Sequence, residues 1–366
     1  MMCPPAARLG LTLRILDPSG ATSPAGQCLP QSSSTPAGSF QDAAAVTAFA
    51  EGCDVVTVEI EHISCDGLEQ VACDVQPSPA TLRLIQDKFL QKEHLARVGV
   101  PLGPYMEVAP PTAAGVAAVA ATFGFPLMLK SRLGAYDGKG NAVVRSEADI
   151  EAAMEALGGG SMLYAEKWVP FAKELAVMVA RSTDGSVVAH PVVETVQRNN
   201  VCHIVTTEGI TPTERDATSA IAMQAISSLD GAGIYGVELF LLEDGSVLLN
   251  EIAPRPHNSG HYTIEACVTC QFEQHLRAVL GLPLGDPSLK VGCAAMVNIL
   301  GDLAGAEGEA RAVGQLTAAL SIAGASGHWY GKAGCRPGRK MGHITVVADD
   351  AAQLKVRLDA VLAACE

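Results

Sequence analysis

The sequence predicts an α/β protein of two or three domains, and three observations carry that prediction. Apolar strand-like runs alternate with helical stretches through the N-terminal part. A long middle stretch reads as successive β-hairpins with Asp-Gly turns. The length, 366 residues, exceeds what one compact core takes. Hydrophobic residues make up 48% of the chain and charged residues 17%, the balance of a packed globular protein rather than a disordered one.

The elements follow in order. Residues 11–16 read as a short strand ending at Asp17-Pro18, and residues 19–39, rich in Ser, Pro and Gly, as loop. Residues 42–50 read as a helix, 54–58 as a buried strand, and 78–98 as one helix with Ser78 at its N-cap. Residues 99–111 hold four prolines and two glycines and mark a boundary between an N-terminal α/β domain (1–98) and a middle domain (99–289). In the middle domain, residues 112–123 read as an Ala-rich helix, 126–131 as a strand ending near Lys130, and 134–140 as a glycine-rich loop. Ser146 with Asp149 opens another helix in a near capping-box pattern. Residues 162–208 alternate as strands about a turn at Asp184-Gly185. Residues 213–229 form a helix, 235–252 a second hairpin turning at Asp244-Gly245, and 262–281 a further helix. The last α/β segment, 290–366, makes a small C-terminal domain.

Composition excludes several function classes. The net charge of -14 repels phosphate backbones and anionic membranes, and the 4% aromatic content is too low for base-stacking platforms. Neither a nucleic-acid nor a membrane partner is expected, and an anionic ligand must be met by a local basic cluster. No run of 18 apolar residues and no signal-peptide pattern is present. The eleven cysteines are irregularly spaced. Cys267 and Cys270 are either half of a zinc or redox site or two small core residues of a helix, and no second pair nearby completes four ligands. The absence of a framework suits a reducing compartment. Gly231, Gly233 and Gly236 match GxGxxG, but they follow a helix and open a strand. That is the reverse of the dinucleotide fingerprint and reads as a connection.

Candidate chemistry gathers at three places. If Asp244 and Gly245 form a two-residue hairpin loop, Glu238 and Glu251 stand directly opposite each other, about 5 Å apart at Cβ. At an effective dielectric near 20 they repel by about 3 kcal/mol. Either the pair holds a cation, magnesium being the natural choice with Asn250 as a nearby oxygen donor, or a bulge slips the register and both acids face water. Lys130 ends the apolar run 125–129 and meets either solvent or an anion; beyond it, Asp137-Gly138-Lys139-Gly140 with Gly134 is either a phosphate cradle or a plain surface turn. Lys332, Arg336, Arg339 and Lys340 surround Pro337-Gly338 as either an anion site or a solvated turn. His328, Trp329 and Tyr330 just before them speak against an exposed loop.

These pieces resemble, in order, the N5-carboxyaminoimidazole ribonucleotide synthases and the synthase-like half of the fused fungal and plant phosphoribosylaminoimidazole carboxylases. The matching stretches are Glu59-Ile60-Glu61-His62, Gln86-Asp87-Lys88, residues 135–140, residues 250–261 (NEIAPRPHNSGH) and residues 336–343 (RPGRKMGH). The resemblance implies an ATP-grasp fold with an incomplete Rossmann-like N-terminal domain. It also implies ATP-dependent carboxylation of 5-aminoimidazole ribonucleotide by bicarbonate through carboxyphosphate, in purine biosynthesis. By the same resemblance Lys88 and Lys130 contact ATP phosphates, and Glu166, Lys167, Trp168 and Val169 form the hinge that receives adenine. Glu174 binds the ribose, Asn250 and Glu251 complete the ATP site, and Glu238 and Glu251 hold Mg2+. Tyr136, Asp137, Lys139, His257, Asn258, Ser259, Lys332, Arg339 and Lys340 surround the ribonucleotide, with Asp137, Lys139, Lys332 and Arg339 nearest the chemistry.

The resemblance further implies small-molecule substrates, a homodimer, a mutase-like carboxylase domain fused to the chain or working with it, and a cytoplasmic location, or a plastid one with a transit peptide upstream. Two departures stand out. Family members open with a strand and a Gly-Gly-Gly-Gln-Leu-Gly loop, whereas this chain is expected to be truncated, starting after that point, inside what should be the first helix, where it carries Pro4-Pro5. Ala135 also stands where glycine is usual. The rival readings are another ATP-grasp carboxylating or acylating ligase, against which the Arg-Pro-Gly-Arg-Lys turn speaks, and a non-catalytic nucleotide-binding remnant.

Overall fold

The structure is a computed structural model that describes residues 1–29, 36–134, 140–158 and 162–365. After a short helix, α1 (Cys3–Arg8), residues 11–16 form no strand. Leu11 and Leu13 pack instead against Phe272 and Leu276, and the nearest pairing is a lone bridge between Asp17 and Ala37. An apolar alternation can spend its buried side on a helix, and without a neighbouring backbone it gains no ladder. Two parallel strands, β1 (Val55–Thr57) and β2 (Asp74–Gln76), make the small N-terminal sheet. Around it lie α2 (Ala43–Ala50), capped by the Asp42 carboxylate, and α3 (Cys65–Glu69).

The helix expected over 78–98 is two helices, α4 (Pro79–Gln86) and α5 (Lys88–Arg97). Asp87 breaks them apart. Its carboxylate accepts from the backbone N–H groups of Phe89 (3.0 Å) and Leu90 (3.1 Å), a better use of an aspartate than a helix interior. The same carboxylate takes an ion pair from Arg132 at 2.6 Å.

A four-stranded antiparallel sheet follows, in the order β3-β6-β4-β5: β3 (Tyr105–Val108), β4 (Leu127–Ser131), β5 (Asn141–Val144) and β6 (Leu163–Lys167). Helices α6 (Ala113–Phe123) and α7 (Ile150–Ala156) cover one face of it.

The larger sheet has nine strands: β7 (Phe171–Arg181), β8 (Val187–Ala189), β9 (Val193–Arg198), β10 (Val201–Thr206), β11 (Gly233–Leu242), β12 (Val247–Ala253), β13 (Cys293–Leu300), β14 (Ala325–Trp329) and β15 (Lys340–Ala348). Its order is β12-β11-β7-β9-β10-β13-β15-β14, with β8 on β7. The pairing of β10 with β13 carries this sheet across residue 290 without a break. Helix α8 (Pro212–Ser227) starts in a full capping box of Thr211 and Glu214 and packs into the core beneath β7 and β11. The helix expected over 262–281 is interrupted: α9 (Thr263–Ala266) and α10 (Gln271–Val279) flank a stretch in which Cys267 bridges to Leu289. Cys267 is buried and Cys270 partly so. Helices α11 (Gly305–Ala319) and α12 (Ala351–Ala364) back β13 and β15. Among the described residues, no helix is long and apolar enough to cross a membrane.

Of the three glycines in the GxGxxG match, Gly231 ends the connection after α8 and Gly233 opens β11. A Cβ on Gly236 would lie 2.5 Å from His257, so that glycine serves close packing of β11 on the site.

Candidate active site

A cavity of about 930 Å3 lies between the two large sheets and reaches the N-terminal part, lined among others by Glu59, Glu61, Lys130, Glu174, Glu238 and Lys340. Its floor is the β11–β12 hairpin. The loop there is not the expected two residues. Leu242 N–H donates to Ser246 (2.9 Å) and Gly245 N–H to Leu242 (3.0 Å), which closes a three-residue turn and pairs Leu241 with Val247 and Phe240 with Leu248. That register alone would set Glu238 against Asn250. A β-bulge between Glu238 and Leu239 on one strand and Leu249 and Glu251 on the other shifts it by one, and Glu238 faces Glu251 after all. The burial pattern explains the bulge: Leu249 and Ile252 are buried, while Asn250 and Glu251 between them both turn to the cavity.

Both carboxylates open onto the cavity, with side chains 31% and 43% exposed. Burial and the facing Glu251 push Glu238 up to about 8. Burial works the same way on Glu251, but Lys88 and Lys130 outweigh it and hold that carboxylate below its usual range. Lys88 Nζ lies 3.4 Å from the cavity-lining Glu251, but Lys88 itself is buried and is not part of the wall. The helix break at Asp87 is what starts α5 at Lys88 and aims it at Glu251.

Glu166, at the end of β6, is the buried centre of a charge cluster. Lys92 stands 3.2 Å and Lys130 3.0 Å from its Oε1. Although burial alone would raise it, the two lysines bring its carboxyl down to about 2. Residues 168–170 join β6 to β7, and Lys167, Trp168 and Val169 line the cavity. The Phe171 and Phe240 rings stack with centroids 4.6 Å apart, and both line it too. Glu174 is raised by burial and contacts Gln197 on the overhanging β9–β10 hairpin.

Beyond the end of β12, Arg255 forms a two-pronged ion pair with Glu61 and ties this stretch to the N-terminal part. His257 Nε2 is 3.7 Å from Glu238, and burial brings its imidazole down to about 3, so it is neutral. Ser259, expected to contact substrate directly, is buried and instead hydrogen bonds His257 Nδ1 at 2.8 Å. Asn258 lines the cavity, fixed by a reciprocal amide pair with Asn298 (2.9 and 2.6 Å).

The basic turn between β14 and β15 does not act as one cluster. Lys340 lines the cavity. Lys332 donates to the Lys340 carbonyl at 2.9 Å and lies 5.0 Å from the Tyr330 ring centre. Arg339 folds back on its own turn, donating to the Ala333 and Gly334 carbonyls, and is absent from the cavity wall. A guanidinium carries five donors, and the outward carbonyls of a tight turn satisfy several of them at once. Tyr136, Asp137 and Lys139 lie outside the described residues.

Sequence reasoning gave no role to Lys92, Gln197, Arg255 or the Phe171–Phe240 stack. Lys92 follows Lys88 by one helical turn, a signal present in the sequence. Gln197 has no such signal.

Three domain families match the chain: the ribonucleotide synthetase preATP-grasp domain over residues 1–86, the ATP-grasp domain over 93–272, and the phosphoribosylaminoimidazole carboxylase C-terminal domain over 294–357. The N5-carboxyaminoimidazole ribonucleotide synthase of Synechococcus elongatus is 41% identical over 350 residues, 94% of this chain and 86% of that one. The chain belongs to the N5-carboxyaminoimidazole ribonucleotide synthase family. The ATP-grasp fold expected from the motifs is therefore the fold of this synthase-family chain, its two sheets clasping the cavity. Phosphoribosylaminoimidazole carboxylase of Schizosaccharomyces pombe is 46% identical over 371 residues, covering 99% of this chain. The chain spans 65% of the length of that carboxylase. Among solved structures, N5-carboxyaminoimidazole synthase from Aspergillus clavatus, in complex with ADP and 5-aminoimidazole ribonucleotide, superimposes with a TM-score of 0.92 at 41% identity. That match covers 100% of this chain and 95% of the other.

Proposed function

We propose that this chain carboxylates 5-aminoimidazole ribonucleotide with bicarbonate and ATP, giving N5-carboxyaminoimidazole ribonucleotide, ADP and phosphate. The observation that carries the reading is one cavity with two chemically different sides. The Phe171–Phe240 stack and Lys130 line one side of the Glu238–Glu251 pair, and His257, 3.7 Å from Glu238, begins the other side with Arg255, Asn258 and Lys340. Its volume suits a nucleotide together with a second ligand, and the similar Aspergillus clavatus enzyme binds ADP and the ribonucleotide together.

In this reading Phe171, Phe240, Trp168 and Val169 enclose adenine, and Glu174 accepts from the ribose hydroxyls. Lys130, already charge-paired to Glu166, turns its ammonium to the phosphates. The residues fit magnesium: two facing carboxylates, plus Asn250 Oδ1, a buried oxygen with no protein partner. Bound there, magnesium would neutralise charge on the transferring phosphoryl group. Lys340 and Arg255 supply positive charge for bicarbonate and the ribonucleotide phosphate in an otherwise acidic protein. Neutral His257, held by Ser259, offers an uncharged nitrogen beside them.

The test is phosphate release from ATP with candidate acceptors offered singly. Release should need 5-aminoimidazole ribonucleotide; equal stimulation by biotin or glycinamide ribonucleotide would move the chain to another carboxylating or acylating ligase.

A further inference from the structure

Strand β12 is the outer edge of the nine-stranded sheet, and on its far side it pairs through a lone bridge at Leu249, whose N–H donates to the Pro101 carbonyl at 2.8 Å. Around the bulge its backbone groups are met by side chains of α5. Gln91 behaves as a piece of strand: its Oε1 accepts from Ile252 N–H at 3.0 Å and its Nε2 donates to Ile252 C=O at 3.3 Å. Lys92 Nζ donates to Asn250 C=O at 3.1 Å. Lys88 pairs with the Glu251 carboxylate between them. The three residues share one helical face by their spacing, and they address three successive residues of β12. Gln91 and Lys92 are 2% and 3% exposed, and neither lines the cavity.

We infer that Gln91 and Lys92 are positioning residues for the carboxylate pair: they hold the bulge that sets Glu251 opposite Glu238. A bulge leaves backbone groups without ladder partners and gives its strand local freedom. Here that freedom is removed from behind, by a helix whose start is fixed by Asp87 and Arg132. Lys92 also touches Glu166 and through it Lys130, so the same helix couples the bulge to the phosphate-facing lysine. The inference rests on the reading of Glu238 and Glu251 as a magnesium site and extends it to the elements that shape that site.

The experiment is calorimetric titration of the full chain with ADP, with chelator and across a range of Mg2+ concentrations, for wild type, Gln91→Met and Lys92→Met. Both replacements nearly conserve volume, and melting temperature reports folding. Both variants should lose about tenfold in apparent Mg2+ affinity, the scale for partners that orient metal ligands, and Gln91→Met, which touches no group of the nucleotide site, should keep its metal-free ADP affinity within about twofold. Thr81→Val is the control: it cuts another contact of the first helices, from α4 to the Asp230 backbone in the connection that leads into β11. It should lower the melting temperature and leave the Mg2+ response alone. The inference is overturned if both variants keep wild-type Mg2+ affinity, or if metal-free and metal-dependent binding fall together in Gln91→Met as in general destabilisation. If wild-type ADP binding itself gains nothing from Mg2+, the metal reading falls and takes this inference with it, a result distinct from the first.

Discussion

Replacing Glu166 by Gln should be the most damaging single isosteric change in the nucleotide half of the cavity. Glu166 lies between Lys92 and Lys130, at 3.2 and 3.0 Å, with the three side chains only 8%, 3% and 12% exposed. The Glu166→Gln change would keep the volume and remove the charge, leaving Lys92 buried without a counter-ion. Breaking a buried pair from one side costs about 3–5 kcal/mol, because the desolvated partner stays behind. With a urea m-value of about 3 kcal/mol/M, the midpoint should fall by about 1 M. The pH dependence gives a second signature. Burial already lowers the Lys92 pKa, and loss of Glu166 would lower it further. A lysine neutral in the folded state and charged in the unfolded one binds fewer protons when folded, so stability rises with pH. The variant should therefore regain part of its deficit relative to wild type as the pH rises from 7 to 9. Adding Lys92→Met should restore a similar amount at pH 7. Urea unfolding of wild type, Glu166→Gln, Lys92→Met and the double variant at two pH values decides it. A loss under about 1 kcal/mol, or a variant whose deficit does not change with pH, would refute the reasoning.

Other expectations follow from the same geometry. Glu238→Gln and Glu251→Gln should each abolish ATP turnover; the first should leave the melting temperature near wild type, because Glu238 is already largely protonated, and the second should lower it, because Lys88 loses its partner. Near-normal phosphate release from either would remove the metal assignment. Glu61 is held down at about 2, chiefly by Arg255 against the effect of burial, so it contributes stability above its unfolded pKa of about 4.5 that is lost as pH falls towards 2. Acid titration of stability in Arg255→Met should lack that slope. Phe240→Ala should raise the KM for ATP about tenfold, the loss of one stacked aromatic, and leave that for the ribonucleotide within about twofold. Ser259→Ala should lower kcat with little change in KM for ATP, because it releases His257 and not the nucleotide.

Much of this site is legible in the sequence, in one case through a compensation. The Asp-Gly signal correctly announces a hairpin, and Glu238 does face Glu251. The loop, however, has three residues, and a bulge at Asn250 restores the alignment. The signal for the bulge is present: Leu249 and Ile252 are apolar, Asn250 and Glu251 polar, which breaks the period of two. Asp87 likewise carries an N-cap signal, and a helix interior is a poor place for it. The run 11–16 shows the opposite limit: alternation specifies a buried side without saying whether a strand or a helix covers it. Arg339 and Lys340 are adjacent, yet one folds back and one faces the cavity, a choice made by the turn backbone. The continuity of the nine-stranded sheet across residue 290, and the grip of Gln91 on Ile252, pair residues far apart in the chain and leave no local trace.

The central claim is that both sides of one cavity act in a single carboxyl transfer. Its most direct test is incorporation of isotope-labelled bicarbonate into acid-labile product by the purified chain, with ATP and 5-aminoimidazole ribonucleotide, alongside phosphate release. The account predicts labelled N5-carboxyaminoimidazole ribonucleotide and phosphate in equal amounts, both lost in Glu251→Gln and in Lys340→Met. Phosphate release without labelled product, or labelled product that forms without ATP, would contradict it.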